Sequence, residues 1–240
     1  MKSVPLVYMP SREIIGFFES FDPHKIGLPA APVVNCELDL AAAQCILGQV
    51  STADLLHVLL VKLDPISIKN VLEVHRAVLN VKKTSWRKVS LNVGVNQADS
   101  FGFTSPIFDV KNEFSWLISR ALSIKHDSIF IAFFLFYFLH LHPFVDGNGR
   151  MSRILIIHFL SERRGAQDGL GRFVAIFTYL RKDILARWLW EARVNSVENF
   201  IKFFSKVLFE YGEYFGKSCD SRVGVREYVM SIKPDGIFGR

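Results

Sequence analysis

The amino-acid sequence predicts an all-α fold with one small β-hairpin, and two observations support that prediction. Apolar residues recur at the spacing of one helical face over most of the chain, as in residues 64–80. Only residues 87–95 alternate apolar with polar side chains, which is the pattern of a strand. Because a single alternating run cannot form a stable sheet, we expect one hairpin that lies over a helical body.

Local signals set the expected limits of the helices. Ser51 or Thr52 is an N-cap candidate for the second helix, and Gly165 is a natural stop for the helix that begins near Asn148. The strand is followed by the turn-rich segment 96–106. Helices are predicted at residues 37–50, 51–63, 64–80, 106–122, 127–141, 148–164, 181–194, 196–215 and 222–232.

Composition narrows the classes of partner. The chain has 240 residues and is 50% hydrophobic, which is enough for one substantial core. Its 29 basic and 23 acidic side chains give a net charge of +6, which suits an anionic ligand or an acidic partner. Since the basic residues form no long run, no nucleic acid partner is expected.

The cysteines and the apolar segments bear on the compartment. Three cysteines without the paired spacing of a zinc site are expected to be free thiols in a reducing compartment. The N-terminus has prolines and charges where a secretory signal would be unbroken. The longest uncharged apolar run, residues 129–139, is about half of the roughly twenty residues that span a bilayer. We therefore expect a buried central helix, no membrane segment, and a cytoplasmic location, in its own cell or after delivery into a host cell.

The segment richest in potentially reactive and ligand-binding residues follows that run. Its sequence is HPFVDGNGRMSR, residues 142–153. A proline ends the preceding helix directly after His142, so this histidine stands where a core helix emerges. Gly147 and Gly149 permit positive φ values, and with Asn148 between them the backbone N–H groups can converge on an anion. A helix that begins here adds its own unpaired N–H groups and its positive end. The stretch is therefore a candidate phosphate site.

The charged residues of this stretch indicate what the site would bind. Arg150 and Arg153 are three apart and share a helix face, where an anion would offset the cost of a cation in the first turn. Asp146 fits if Mg²⁺ bridges its carboxylate and phosphate oxygens. His142 is then placed to take a proton from an incoming hydroxyl. Singly, each feature suits a helix cap, a turn or a solvated surface; together they indicate phosphoryl or nucleotidyl transfer.

At every specified position, residues 142–153 resemble the HPFx[DE]GNGRxxR motif of the Fic domain family. Upstream, ISIKNVLEVHRAVL resembles the helix of that family with a Leu-His-Arg stretch, and WRKVSLNVG resembles its flap hairpin. The resemblance covers about residues 65–210. It implies a Fic-type helical bundle at 61–216 with the hairpin flap over the active site. The remaining segments show no motif of the family, and we expect an N-terminal helical extension at 1–60 and a C-terminal tail with a short helix at 217–240.

The resemblance also implies roles for individual residues. His142 would deprotonate the target hydroxyl, and Asp146 would hold Mg²⁺ through the α- and β-phosphates. Arg150 would bind phosphate, and Arg153 would bind the γ-phosphate. The anion hole would be formed by Gly147, Asn148 and Gly149. The flap would align a segment of a target protein by strand addition. Its residues are Val89, Leu91, Val93 and Gly94.

The implied reaction is the transfer of AMP from ATP to a Ser, Thr or Tyr hydroxyl of a protein, with release of pyrophosphate. The kinase branch of the family departs from glycine at the position of Gly149, so the glycine kept here favours AMP transfer. Three alternatives stay open. They are the same site with UTP or GTP as donor, the toxin of a toxin–antitoxin pair, and a non-catalytic Fic-like binding module.

The chain departs from the family in how it would be controlled. Many Fic proteins carry the pattern [ST]xxxE[GN], whose glutamate pairs with the second arginine of the motif. No glutamate of this chain fits the pattern; Glu198 precedes Asn199, but Val194 stands at the serine position. Either a separate antitoxin-like protein supplies the glutamate or control differs. The isolated chain is then expected to be active, and to be a poor deAMPylase.

A second departure concerns the helix that contacts the donor base. The family often has a Tyr and an Asn there, where this chain has Leu185 or Ala186 and Arg193. The selectivity for the base is therefore not predicted. Trp188 or Trp190 could stack on a base, but their helical spacing favours the core.

Overall fold

The computed structural model describes residues 36–48, 52–93, 103–105, 109–166, 168–195, 197–218 and 224–232. Within these ranges the chain forms ten helices and one two-stranded antiparallel sheet, so the predicted all-α class with a minor hairpin is confirmed. The helices are α1 (Cys36–Leu47), α2 (Ala53–Leu63), α3 (Ile68–Leu79), α4 (Val110–Ser123), α5 (Asp127–Leu141), α6 (Asn148–Arg164), α7 (Leu170–Leu180), α8 (Lys182–Val194), α9 (Val197–Ser218) and α10 (Val225–Ser231). The strands are β1 (Leu91–Val93) and β2 (Phe103–Ser105).

Capping explains where the predicted helix limits hold and where they shift. The Thr52 hydroxyl accepts the N–H of Leu55 and begins α2 as predicted. Helix α3 begins four residues later than predicted, because the Ser67 hydroxyl caps it. The N-cap of α4 is Asp109, so that helix also begins later than the prediction. Gly165 follows α6 with φ at +95°, which confirms the predicted stop.

Helix α7 is absent from the prediction. Its sequence, LGRFVAIFTYL, is apolar almost throughout, and nine of its eleven residues are buried. A short apolar run of this kind has no usable period, so its pattern does not distinguish a buried helix from a buried strand. The helical form depends instead on packing against neighbours from other parts of the chain.

Strand β1 begins later than the predicted strand at 87–95, of which residues 94 and 95 lie outside the described residues. It begins at Leu91, because Arg87 donates its backbone N–H and one guanidinium N–H to carbonyls outside any sheet ladder. Val89 is 53% exposed and lies before the strand. The prediction that Val89 belongs to the strand is therefore wrong, and its role in target docking stays a prediction. Gly94, the last predicted flap residue, lies outside the described residues.

The chain divides into two compact units. The first comprises residues 1–25, 85–148 and 183–204, and the second comprises 26–84, 149–182 and 205–240.

The first unit is built around α5. Thirteen of the fifteen residues of this helix are buried, as predicted for the uncharged run. Helix α4 packs along it. The Trp86 ring lies 5.0 Å from the ring centroid of Phe114 and 5.1 Å from that of Phe144. None of the helices in the described ranges has both the length and the apolar character needed to cross a membrane.

The second unit is built around α7. Helices α1 and α10 pack against α7 and against each other, and α2 packs between α1 and α3. An ion pair between Arg172 and Asp39 joins α7 to α1. Asp168 accepts hydrogen bonds from the Tyr211 hydroxyl at 3.3 Å and from the Leu170 N–H at 2.7 Å, which fixes the start of α7.

Gly171 allows α6 and α7 to approach closely, and this can be tested by substitution. A Cβ at Gly171 would lie 2.8 Å from the Ile157 Cα and 3.3 Å from the Ile156 carbonyl oxygen. We expect Gly171→Ala to lower the free energy of unfolding by about 1–3 kcal/mol, measured from urea unfolding curves. Helix propensity alone predicts the opposite sign, a gain of about 1 kcal/mol. A stabilised variant would therefore contradict this close contact.

Candidate active site

His142 lies directly after the buried helix α5. Its backbone is left-handed, with φ 47° and ψ 61°, and its N–H donates to the Phe138 carbonyl at 2.9 Å. A left-handed conformation is uncommon for a residue with a Cβ, and it persists where the surroundings fix it. The prediction that a histidine stands where a core helix emerges is confirmed.

The hydrogen bonds of the His142 ring define its tautomer. Nδ1 lies 3.2 Å from the Leu139 carbonyl oxygen. Because a carbonyl only accepts, Nδ1 carries the proton of the neutral ring and Nε2 keeps its lone pair. Nε2 makes no hydrogen bond within the described part of the chain. The ring therefore presents a proton acceptor.

The environment keeps this imidazole neutral. Burial is the largest cause that lowers the pKa of His142, to about 4, and the charges of Arg87 and Arg193 lower it further. The hydrogen bond to Leu139 and the carboxylate of Asp146 act in the opposite direction. At neutral pH the ring is unprotonated, which is the state that a general base needs.

Asp146 is exposed in the loop, whereas the following Gly147 is buried. Gly147 has φ at +80°, which confirms the predicted positive value. Its N–H donates to Oδ1 of Asp146 at 2.6 Å. This N–H is one of the donors that the sequence assigns to the anion hole. In this conformation the hydrogen bond from that N–H is accepted by a carboxylate oxygen of the protein itself.

The buried side chain of Asn148 holds the loop together by hydrogen bonds to the backbone of Phe144. It is 3% exposed, its Oδ1 accepts the Phe144 N–H at 3.0 Å, and its Nδ2 donates to the Phe144 carbonyl at 2.8 Å. Phe144 in turn stacks on Trp86. The side chain of Asn148 is therefore committed to the loop. Only its backbone N–H is left for the predicted anion hole, and that role stays a prediction.

Gly149 differs from its prediction. It does not have a positive φ, because helix α6 already begins at Asn148. An added Cβ at this position would lie 3.4 Å from Nη1 of Arg153, which is an ordinary contact distance. The predicted place of Gly149 in the anion hole stays a prediction.

Both motif arginines are half-buried, and Arg153 lies against an aromatic ring. Its Nε is buried without a hydrogen-bond partner in the described ranges, and its Cζ lies 5.2 Å from the centroid of the Tyr179 ring. Burial lowers the pKa of Arg153 to about 10, an effect that Cys45 and Tyr179 oppose and the charge of Arg150 increases. Arg150 donates from Nη1 to the Val78 carbonyl at 3.4 Å.

Arg87 was not among the predicted site residues, yet it holds the loop and the hairpin together. It is 3% exposed, and burial lowers its pKa. Its backbone N–H donates to the Pro143 carbonyl at 3.0 Å. Its guanidinium donates to the carbonyl oxygens of Leu141 (2.9 Å), His142 (2.8 Å) and Val89 (2.7 Å) and to the hydroxyl of Ser105 (2.7 Å). No local pattern marks this residue, because most of these acceptors are distant in sequence.

The residues considered for base contact lie in α8. Leu185 is 8% exposed, and Trp188 stacks on Phe203 with ring centroids 5.7 Å apart, which is the core role that helical spacing favours. Arg193 approaches the His142 region: its Nε lies 3.4 Å from Nδ1 of His140, and its charge contributes to the lowered pKa of His142.

These features define a helical protein in which a neutral imidazole adjoins a glycine-containing loop that begins a helix. Residues 65–160 match the model of the Fic/DOC family, and this segment contains every residue of the HPFVDGNGRMSR motif. This segment of the chain is therefore similar to the Fic/DOC family.

Proteins with curated descriptions share this region. A protein named "Protein adenylyltransferase Fic" from Aedes aegypti is 35% identical over 100 residues, which is 40% of this chain and 19% of that protein. Proteins of the same name from Drosophila erecta and Drosophila willistoni are 30% identical over 115 residues and 33% identical over 95 residues. These matches cover 46% and 38% of this chain. The chain spans about a fifth of the length of these relatives (23% and 19% for the two Drosophila proteins).

Proposed function

We propose that this chain is a protein adenylyltransferase that transfers AMP from Mg-ATP to a Ser, Thr or Tyr hydroxyl of a target protein. The observation that carries the proposal is the state of His142, a neutral ring whose Nε2 is left as a proton acceptor. The names of the relatives support the same reaction.

In the proposed reaction, each functional residue of the segment 142–153 has a separate role. Nε2 of His142 takes the proton of the target hydroxyl as its oxygen attacks the α-phosphorus. The bond from that phosphorus to the α–β bridging oxygen breaks, and pyrophosphate leaves with the electron pair. The guanidinium groups of Arg150 and Arg153 bind the phosphates. The backbone N–H groups of the anion hole come from Gly147, Asn148 and Gly149.

Asp146 fits a magnesium ion that arrives with the nucleotide. Within the described ranges, no group of three His, Cys, Asp or Glu side chains could form a cage for a metal ion. Mg²⁺, however, usually keeps several waters and takes one or two carboxylates together with substrate phosphates. Asp146 is exposed and offers one carboxylate in the loop. The bound ion would neutralise charge on the α- and β-phosphates.

The hairpin is the proposed docking element for the target. β2 is fixed by Ser105, whose hydroxyl donates to the carbonyls of His140 (3.0 Å) and Leu141 (3.2 Å). β1 pairs with β2 in register Leu91 to Ser105 and Val93 to Phe103. A target strand that adds to this sheet would gain main-chain hydrogen bonds with little demand on its sequence.

We further propose that the isolated chain is active without a partner. Within the described ranges, no carboxylate pairs with Arg153, whose electrostatic neighbours are Cys45, Tyr179 and Arg150. An antitoxin-like protein that inserts a glutamate beside this arginine would then act as the inhibitor.

Intact-mass spectrometry tests the proposed reaction. The purified chain is incubated with Mg²⁺ and ATP, UTP or GTP in parallel, alone and with a cell extract as the source of targets. We expect a mass gain of one adenylate with ATP, and no gain when EDTA removes the metal. Label from α-³²P-ATP should be retained and label from γ-³²P-ATP should not.

The other outcomes separate the alternatives. A gain of uridylate or guanylate would replace the donor, and a gain of phosphate would indicate a kinase. No gain with any triphosphate on the chain or on any target would reject the enzyme and leave a binding module.

A further inference from the structure

Arg193 carries a buried guanidinium that the family motif does not include and that lies outside the matched segment 65–160. Its Cζ lies 3.6 Å from the centroid of the Phe103 ring. Its Nε lies 3.4 Å from Nδ1 of His140, which is a long hydrogen bond. Its Nη2 is buried and has no hydrogen-bond partner among the residues that the structure describes.

The charge of Arg193 is also uncompensated in the described part of the chain. Burial lowers its pKa to about 9, so the side chain still carries its proton at neutral pH. No carboxylate in the described ranges pairs with it. The Phe103 ring and the C-terminal end of α8 each offset part of the cost of a buried cation. Neither uses the remaining N–H donors of the guanidinium, which has five in all.

The Arg193 guanidinium lies close enough to the candidate base for its charge to lower the pKa of His142. The ring centroid of Phe103, on which Arg193 lies, is 6.5 Å from that of His142. His140 is fully buried, and its ring stacks on Phe103 at a centroid distance of 5.5 Å. The cation thus packs against rings next to the residue that would activate the target hydroxyl. A purely structural role of Arg193 would require this stacking, but it would not require N–H donors that have no partner.

We infer that Arg193 is a further binding residue of this site and that its guanidinium takes an anionic phosphate oxygen of the nucleotide donor. The inference rests on the proposed function, because that function supplies the nucleotide. A phosphate oxygen would complete the hydrogen bonds of Nη2 and balance the buried charge. A fixed cation at the attacked phosphate would also stabilise the charge that develops during transfer.

Equilibrium binding tests this inference without requiring transfer. ATP, AMP and adenosine are titrated calorimetrically in the presence of Mg²⁺, in a His142→Ala background so that no nucleotide is consumed. We expect Arg193→Met to weaken ATP and AMP binding by roughly ten- to a hundredfold, the effect of losing a charge-assisted hydrogen bond. Adenosine binding should stay within about twofold, and Arg193→Lys should show a smaller loss.

Arg187→Met is the matched control. Arg187 is exposed on the same helix, so this variant removes one positive charge without touching the ring stack, and nucleotide affinity should change less than about twofold. Unchanged ATP affinity in Arg193→Met would overturn the inference. The inference would also be overturned if Arg193→Met lowered the affinity for adenosine and for the phosphorylated ligands equally and also lowered the melting temperature. That result would indicate that Arg193 has only a structural role.

Failure of the inference and failure of the proposed function give different results. If Arg193→Met weakens ATP binding but the unmodified chain transfers no nucleotide, the inference stands and the proposed reaction is rejected. If transfer occurs and ATP affinity does not change in Arg193→Met, only the inference is rejected. A chain that binds no phosphate compound contradicts both.

Discussion

Replacing His142 with alanine is expected to lower the rate of AMP transfer by roughly 10²–10⁴-fold, the usual contribution of a general base. The expectation follows from its tautomer, since Nδ1 is engaged by the Leu139 carbonyl and only Nε2 can accept a proton. Initial rates of label transfer from α-³²P-ATP measure the effect. His57→Ala, at an exposed position on α2, is the matched control and should retain the wild-type rate.

The same residue predicts the pH dependence of the reaction. Because burial and the charges of Arg87 and Arg193 lower the pKa of His142 to about 4, the base is neutral across the ordinary pH range. The value of kcat/KM should therefore stay level from about pH 8 to about pH 5 and fall only below that. An unperturbed histidine, with a pKa of about 6.5, would begin to lose activity near pH 7. A fall of that kind would contradict the buried, neutral ring.

Stability provides an independent check that does not depend on turnover. The pKa of His142 is lower in the folded chain than in the unfolded chain, so the unfolded chain takes up the proton more readily. The contribution of this residue to the free energy of unfolding is complete above about pH 6.5 and declines as the pH falls toward about 4. His142→Gln should reduce this acid sensitivity in urea unfolding experiments, whereas a wild-type pH dependence would contradict the lowered pKa.

The sequence predicted best where local chemistry decides the outcome. The limits of α5 and the start of α6 follow from an uncharged run and from the motif, and both agree with the structure. Thr52 and Gly165 mark helix ends because capping involves only residues a few positions apart. His142, Asp146 and residues 147–149 were all predicted from one short segment, and their roles in the site stay predictions.

The prediction was weakest where the deciding contacts are distant in sequence. Arg87 donates to the carbonyl of His142, 55 positions away, and Arg193 approaches His140 from 53 positions away. Neither contact produces a periodic pattern in the amino-acid sequence from which it could be predicted. The start of β1 shifted because Arg87 uses its hydrogen bonds elsewhere, and α7 was missed because its apolar run has no period. The hydrogen bonds of the Asn148 side chain to Phe144 were not predicted, and the anion-hole role of its backbone N–H stays a prediction.

Replacing Arg87 with methionine is expected to damage stability and catalysis together. Four guanidinium hydrogen bonds would be lost, and they are made to two carbonyls at the end of α5, to the Val89 carbonyl and to the Ser105 hydroxyl. Because buried acceptors would be left unsatisfied, we expect the free energy of unfolding to fall by on the order of 3 kcal/mol. Urea unfolding curves of the two proteins provide this measurement.

The catalytic effect should exceed what the loss of stability explains, because Arg87 fixes the carbonyl of the same residue whose ring is the proposed base. A displacement of about 1 Å at a reacting group can cost roughly 10²-fold in rate. Transfer should therefore be slow even under conditions where Arg87→Met is fully folded. The pH below which activity falls should also be higher than in the wild type, because one cation that lowers the pKa of His142 is gone. Lys88→Met, at an exposed neighbouring position, removes the same charge and should change neither property. If Arg87→Met loses stability but keeps the wild-type kcat at temperatures where it is folded, Arg87 only supports the fold and does not position His142.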